Sequence, residues 1–415
     1  MTPAADSYDV IVIGGGPAGS TAAALLAEFG HSVLLLERDR FPRFRIGESL
    51  MPGTYDTFTR LGLLDRLNET AFPRKHSVQF YSGSGRASKP FYFSDNSDHE
   101  SSVTWQVLRS DFDSLMISAA SEKGAEVVHE ASVHDVLFDG DRAVGVRGRF
   151  ADGAIQEVRA TVVVDASGQS ALISRRLKIV STEPGLRKAS IYTHFARARR
   201  DSGVDEGATI IYQTEGKDSW FWFIPLQDDR ASVGVVGDID YLIQSREGDA
   251  TAIFHEELAK CAPLRERLDD AEQAFPMKVT KDFSYRSKQV AGPSWVLVGD
   301  AFGFLDPIYS SGIYLALKSG EWAADAIHGA FETSDFSADR LGAFGPKLNE
   351  GMEALRKLVY AYYTKEFSFG RFLRKHPECQ QGIIDILSGN VYADSVRQIF
   401  GPMAEMCELP EEISL

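Results

Sequence analysis

Only three of the 415 residues are cysteines (Cys261, Cys379 and Cys407), and none forms a Cys-x-x-Cys pair. That argues against a disulfide framework and against a structural zinc site. Positive charge is scarce as well: 44 Lys and Arg face 59 Asp and Glu, a formal net charge of −15. A general nucleic-acid binder needs a basic surface to displace phosphate counterions, and docking on anionic membranes needs a polybasic face. The sequence supplies neither. Long apolar runs are almost absent too. Val10 to Ala27 carries no charge and has the length of a membrane span, but Gly14-Gly15-Gly16-Pro17-Ala18-Gly19 breaks it. No basic segment precedes it as a signal peptide requires. No internal repeat or low-complexity tract is visible, and no cluster of metal ligands. With 44% hydrophobic and 25% charged residues the composition is ordinary for a folded chain with a sizeable core. The expectation is a soluble, reduced, cytoplasmic protein of two-domain size.

Period and punctuation suggest the organisation. Tyr8 to Ile13 reads as a strand, Pro17 to Phe29 as a helix and Val33 to Leu36 as a strand, a βαβ unit around the glycine turn. A helix is predicted from Ser110, with Ser110-x-x-Asp113 as its capping box, to Gly124. Strand-like runs follow at Ala125 to His129, Ala143 to Phe150 and Thr161 to Val164. From about 176 to 285 the texture becomes that of a mostly antiparallel sheet, in Ala189 to Ala196, Ala208 to Gln213, Trp220 to Pro225 and Ala231 to Val236. Trp295 to Val298 returns as a buried strand, Gly312 to Phe331 reads as a helix, and the tail, including Leu355 to Phe372, reads as helical. The fold class is therefore α/β, α+β overall. A Rossmann-like nucleotide-binding domain (1–75, 100–175 and 286–330) is interrupted by a sheet domain (76–99 and 176–285). A helical C-terminal segment (331–415) follows.

Gly14-x-Gly16-x-x-Gly19 lies between a strand and a helix, the context in which such a motif has chemical meaning. The glycines let backbone approach a pyrophosphate at the N-terminus of the helix opened by Pro17 and Ala18. Glu37 ends the second strand and suits a ribose hydroxyl, with Arg38 beside it. Val162-Val163-Val164-Asp165-Ala166-Ser167-Gly168 and Val296-Leu297-Val298-Gly299-Asp300-Ala301 are two further strands ending in an acid and small residues. Taken singly, Asp165 is a turn former and Asp300 a helix cap. Together with the first fingerprint the arrangement resembles the FAD-dependent monooxygenase superfamily. That resemblance implies FAD, with Asp300 near the ribityl–pyrophosphate region and Arg109, followed by Asp113, at the flavin nucleotide. It also implies that Ile46-Gly47-Glu48-Ser49 passes close to the flavin. No second glycine fingerprint for NAD(P)H is present.

Trp220-Phe221-Trp222-Phe223-Ile224-Pro225 fits Trp-x-Trp-x-Ile-Pro, and Phe304-x-x-Pro307-x-x-Ser310-x-Gly312 fits a Phe-Pro-Ser-Gly pattern. At strand period Trp220, Trp222 and Ile224 share one face and Phe221 and Phe223 the other. With Lys75 shortly after the Gly-Glu-Ser segment, these motifs resemble the flavin-dependent halogenases over nearly the whole chain. The likeness is greatest to the phenol or carrier-bound acyl type, as in chloramphenicol and chondrochloren biosynthesis. The resemblance implies halogenation with reduced FAD, oxygen and chloride or bromide. Halide would sit at the helix start formed by Ser311, Gly312 and Ile313. Trp220 and Trp222 would wall the flavin from the substrate, and Lys75 would hold or carry the electrophilic halogen. A separate NAD(P)H-dependent flavin reductase is the implied partner. Tyr309 stands where tryptophan halogenases carry a glutamate, which favours a phenolic or carrier-tethered substrate over free tryptophan. The basic, aromatic stretch Phe367 to Lys375 could dock an acidic carrier protein, although a solvated helix face is the commoner explanation. His194 reads as a satisfied sheet histidine, and Arg74 and His76 as loop residues without a role. The other readings are an aromatic hydroxylase, a flavin-dependent isoprenoid reductase and a non-catalytic flavoprotein.

Overall fold

The computed structural model describes residues 2–415. The apolar segment Ser7–Ile13 is flanked on both sides by parallel partners, Val33–Glu37 and Ile155–Asp165. Glu126–His129 extends the parallel layer on one side and Trp295–Leu297 on the other. A strand buried on both faces reads as a continuous apolar run, which is why these segments do not alternate. Parallel strands bring their carboxyl ends to the same edge. The residues at or just past those ends, Gly14, Glu37, Asp165 and Gly299-Asp300, therefore meet at one rim. The antiparallel hairpin Ser132–Asp139 and Arg142–Arg149 pairs with the first half of Ile155–Asp165.

The second sheet runs through Lys188–Ala196, Arg230–Asp238, Ser219–Leu226 and Thr209–Gln213 in antiparallel order. Its next pairing, Thr209–Gln213 with Ser77–Tyr81, is parallel. Trp220, Trp222 and Ile224 face the main core. Phe221 and Phe223 face a separate core with Phe254 and Leu264. This is the period-two division expected from the sequence. The helices Ala250–Leu258 and Ala262–Leu268, which supply Phe254 and Leu264, were not expected in a stretch read as all strand.

Three local expectations are corrected. The helix predicted from Ser110 starts at Arg109 and has no side-chain cap. Asp113 cannot close a capping box because Arg109 holds both its oxygens, at 2.8 and 3.0 Å. The stretch Leu355 to Phe372 is not one helix. Gly345–Tyr363 ends at Thr364, which is extended, and Ser368 caps a new helix, Phe369–Lys375, by accepting from the Arg371 amide. The third correction concerns length: the helix predicted at Gly312 to Phe331 spans Ser311–Thr333.

That long helix crosses the first helix, Pro17–Glu28, at a point where a Cβ on Gly320 would lie 2.5 Å from the Ala18 carbonyl oxygen. The tail residues Leu348, Met352, Phe372 and Ile383 join the same main core. Among the described residues no helix is long and apolar enough to cross a membrane.

Candidate flavin cleft and buried lysine

A cavity of about 520 Å³ opens at the rim where the parallel strands end. Gly14, Gly16, Pro17, Ala18, Glu37 and Arg38 line one part of it, and Ile46, Gly47, Glu48 and Ser49 another. Gly14 has φ +104°, and a Cβ there would meet the Ala166 carbonyl oxygen at 2.4 Å. Gly19 does not line the cavity. Its Cβ would sit 1.9 Å from the Gly14 oxygen, so its role is to let the helix pack on the turn. Gly16 differs from both, because a Cβ there would find only Arg43 Nη2, at 3.9 Å, and otherwise open space. The helix that follows has no side-chain cap and no acid in its first turn. Its first free N–H groups therefore point at the cavity as anion donors.

Glu37 is buried, and its carboxylate accepts from the Gly15 amide at 2.8 Å and the Asp39 amide at 2.8 Å. Arg109 grips Asp113 and donates to the carbonyls of Ile46 and Gly47, which fixes the Gly-Glu-Ser segment against the rim. Arg43, to which the sequence reading gave no role, approaches Asp113 at 3.1 Å and Glu37 at 3.8 Å. Its Nε and Nη1 are buried without a hydrogen-bond partner. A half-buried guanidinium with an unpartnered Nε beside an uncapped helix end suits a pyrophosphate. The donor set therefore fits FAD. Basic residues clustered after Glu37, in Arg38-Asp39-Arg40-Phe41-Pro42-Arg43, were the available signal. Asp300 lines the same cavity, and burial raises its carboxyl to about 6 against the opposing pull of Arg109. Asp165 does not line it. Its oxygens accept from the Ser167 and Ile173 amides at 3.0 and 2.7 Å, the bland reading of a turn former.

Lys75 is 1% exposed. Its two-residue strand Arg74–Lys75 pairs with Thr104–Trp105 and turns the side chain inward. Nζ donates to Ser49 Oγ at 2.9 Å and the Leu50 carbonyl at 2.8 Å, and lies 5.5 Å from the Phe93 ring centroid. Among the described residues no carboxylate pairs with it within salt-bridge distance, and burial alone lowers its pKa from 10.5 to about 7. Lys75 itself does not line the cavity, whereas its partner Ser49 does. Ser49 Oγ also bonds Thr209 Oγ1 at 2.8 Å, and Gln106 Nε2 donates to Thr209 Oγ1 at 2.8 Å. Thr209 and Gln106 escaped the sequence reading because nothing local marks them. They come from separate segments that meet only in the fold.

Trp222 lines the cavity and Trp220 does not. Trp222 Nε1 donates to Ser232 Oγ at 3.1 Å, and the two indole rings lie 6.2 Å apart. Gly312 and Ile313 line the cavity, as does Ser310, which has φ +59°, while Ser311 is buried behind them. The long helix also begins without a side-chain cap or an acid in its first turn, leaving its leading N–H groups free for an anion. His194 is a buried sheet histidine, with Nε2 2.5 Å from Glu48 Oε1. Tyr309 is buried and donates to the Leu358 carbonyl at 3.1 Å. Arg74 is exposed and stacks over Trp105 at 4.9 Å. In the tail segment Phe367, Phe369 and Phe372 are buried, while Arg371 and Arg374 are exposed.

An FAD binding domain profile matches residues 7–320. The 1H-pyrrole-2-carbonyl-[peptidyl-carrier protein] brominase of Pseudoalteromonas luteoviolacea is 34% identical, covering 92% of this chain and 92% of the relative. The corresponding chlorinase of Pseudomonas fluorescens is 31% identical, covering 96% of this chain and 93% of the relative. Among solved structures, the myxobacterial chondrochloren halogenase CndH aligns with a TM-score of 0.82 at 29% identity, over 97% of both chains.

Proposed function

Because this chain belongs to the flavin-dependent halogenase family, we propose that it halogenates an electron-rich aromatic acyl group tethered to a carrier protein, with Lys75 presenting the electrophilic halogen. The observation that carries this reading is a fully buried lysine with no acidic partner, one hydroxyl behind the wall of the flavin cleft. FAD, bound as its reduced form, supplies with oxygen the oxidising power that turns chloride or bromide into hypohalous acid. The chain's own residues do the rest. The Ala18 amide at the helix start together with Arg43 holds the pyrophosphate, and Glu37 receives the ribose hydroxyls. Amides at Ser311, Gly312 and Ile313 bind halide in a site kept partly dry by Trp222 and Ile313. Trp222 and, behind it, Trp220 separate flavin from substrate, so that oxygen is not delivered directly.

Lys75 has no carboxylate to hold its proton, so near neutral pH a large share is the free amine. The amine has two hydrogens, matched to Ser49 and Leu50, and one lone pair that is free to accept the hypohalous O–H or to attack the halogen, in which case the O–halogen bond breaks and the hydroxide leaves as water with one amine proton. Ser49 can pass a hydrogen bond between cavity and lysine. The carrier-tethered substrate is favoured by the two pyrrole-carrier relatives, each matched over more than nine-tenths of this chain. A separate NAD(P)H-dependent reductase supplies the reduced flavin, and the reaction takes place in the cytoplasm.

The test supplies reduced FAD, oxygen and bromide or chloride with carrier-bound pyrrole-2-carbonyl, other carrier-bound aromatic acyl groups and free phenols, read by mass spectrometry. A halogen-mass increment on a carrier-bound ring is expected. Oxygen insertion that does not depend on halide overturns the assignment, and halogenation of free phenols alone removes the carrier.

A further inference from the structure

Outside the residues already assigned, one buried polar chain joins three distant segments. Trp220 Nε1 donates to Tyr363 Oη at 2.9 Å, and Tyr363 Oη donates to Asp306 Oδ2 at 2.8 Å. Asp306 Oδ1 accepts from the Ile308 amide at 3.0 Å, capping the short turn Pro307–Tyr309. That turn leads into Ser310, in the left-handed region at φ +59°, and then into the helix whose first amides face the cavity. Lys188 Nζ lies 3.8 Å from the Tyr363 ring centroid, with its charge shared with Asp238 at 2.6 Å. Asp306 is 2% exposed, and among the described residues no cation is in direct contact with it. Burying such a carboxyl is costly unless its hydrogen bonds are all made, and both its oxygens are indeed used.

We propose that Asp306 and Tyr363 are positioning residues for halide oxidation: they tie the Trp220 indole to the turn that sets the halide-facing helix end, so that wall and anion site hold one relative placement. The proposal rests on the halogenase reading above. Tyr363 suits the role because its hydroxyl accepts from one side and donates to the other. A phenylalanine keeps the packing and removes only the link. Asp306 bonds both the relay, through Tyr363, and the turn, through the Ile308 amide. An error of one ångström in such a placement is enough to slow a reaction without altering what is bound.

The experiment uses the full FAD-loaded chain with reduced FAD, oxygen and varied bromide. Tyr363→Phe is expected to raise the bromide KM by about tenfold and to divert oxidising equivalents to free hydrogen peroxide, while flavin reoxidation proceeds at the wild-type rate. Asp306→Asn, which preserves volume and an acceptor for Ile308, is expected to do the same. It decides the matter if Tyr363→Phe fails to fold. Tyr363→Phe also shifts the tryptophan emission of the protein, and in a Trp220→Phe background that shift vanishes and the two effects on bromide KM are not additive. An unchanged bromide KM in both variants, or effects that add in the double variant, overturns the relay. If the wild type forms no halogenated product, the halogenase reading fails, and the emission cycle still reports whether indole and turn are coupled.

Discussion

Lys75 concentrates the consequences at the scale of single residues. Replacing it with alanine is expected to cut halogenation by about a hundredfold or more, with flavin reoxidation preserved, as followed by product mass and flavin absorbance in one assay. Arginine does not restore it, because a guanidinium keeps its proton at any working pH. Halogenation per flavin turnover rises as pH passes upward through about 7, the pKa to which burial lowers this amine. Stability follows the same group. The unfolded lysine keeps its proton up to 10.5 whereas the folded one loses it near 7, so between those values the unfolded state binds more protons and folding strengthens as pH rises. In Lys75→Met the urea midpoint gains less between about pH 7 and pH 9 than in the wild type. Lys75 was visible in the sequence only by its distance from Gly-Glu-Ser. Its burial follows from the pairing of Arg74–Lys75 with Thr104–Trp105, which no local pattern announces.

Elements divide the glycines by job. Gly16→Ala is expected to fold with an unchanged melting temperature and to bind FAD more weakly, since its Cβ would enter the cavity and touch little else. Gly19→Ala instead loses about 3 kcal/mol of stability, because its Cβ would collide with the Gly14 oxygen. Calorimetry with and without FAD separates the two outcomes. The nucleotide fingerprint was legible because strand, turn, helix and acid fall within one continuous stretch. So was the Trp-x-Trp-x-Ile-Pro strand, whose two faces follow directly from period two. Arg43 was harder to read, being one arginine among several in a loop, and only the buried neighbours Asp113 and Glu37 distinguish it. The capping box at Ser110 misled because Arg109, one turn earlier on the same helix, competed for Asp113 and won.

For the whole molecule, the charge of −15 would oppose an acidic carrier at long range, and on the proposed reading the exposed Arg371 and Arg374 offset that repulsion locally. Arg371→Glu with Arg374→Glu is therefore expected to raise KM for a carrier-bound substrate several-fold and to leave KM for a free phenol alone. Added salt should narrow the difference. Equal KM values in the variant and the wild type would place the carrier on another face. The crossing of Gly320 over Ala18 has a consequence for heredity and for protein recombination. The helix that follows the glycine fingerprint and the long helix that starts at Ser311 are separated by some three hundred positions, yet they touch where no side chain fits. A chimaera assembled from this chain and a relative must take both helices from one parent, or inherit a glycine at 320 from either. Otherwise the two helices that border the cleft part at their crossing.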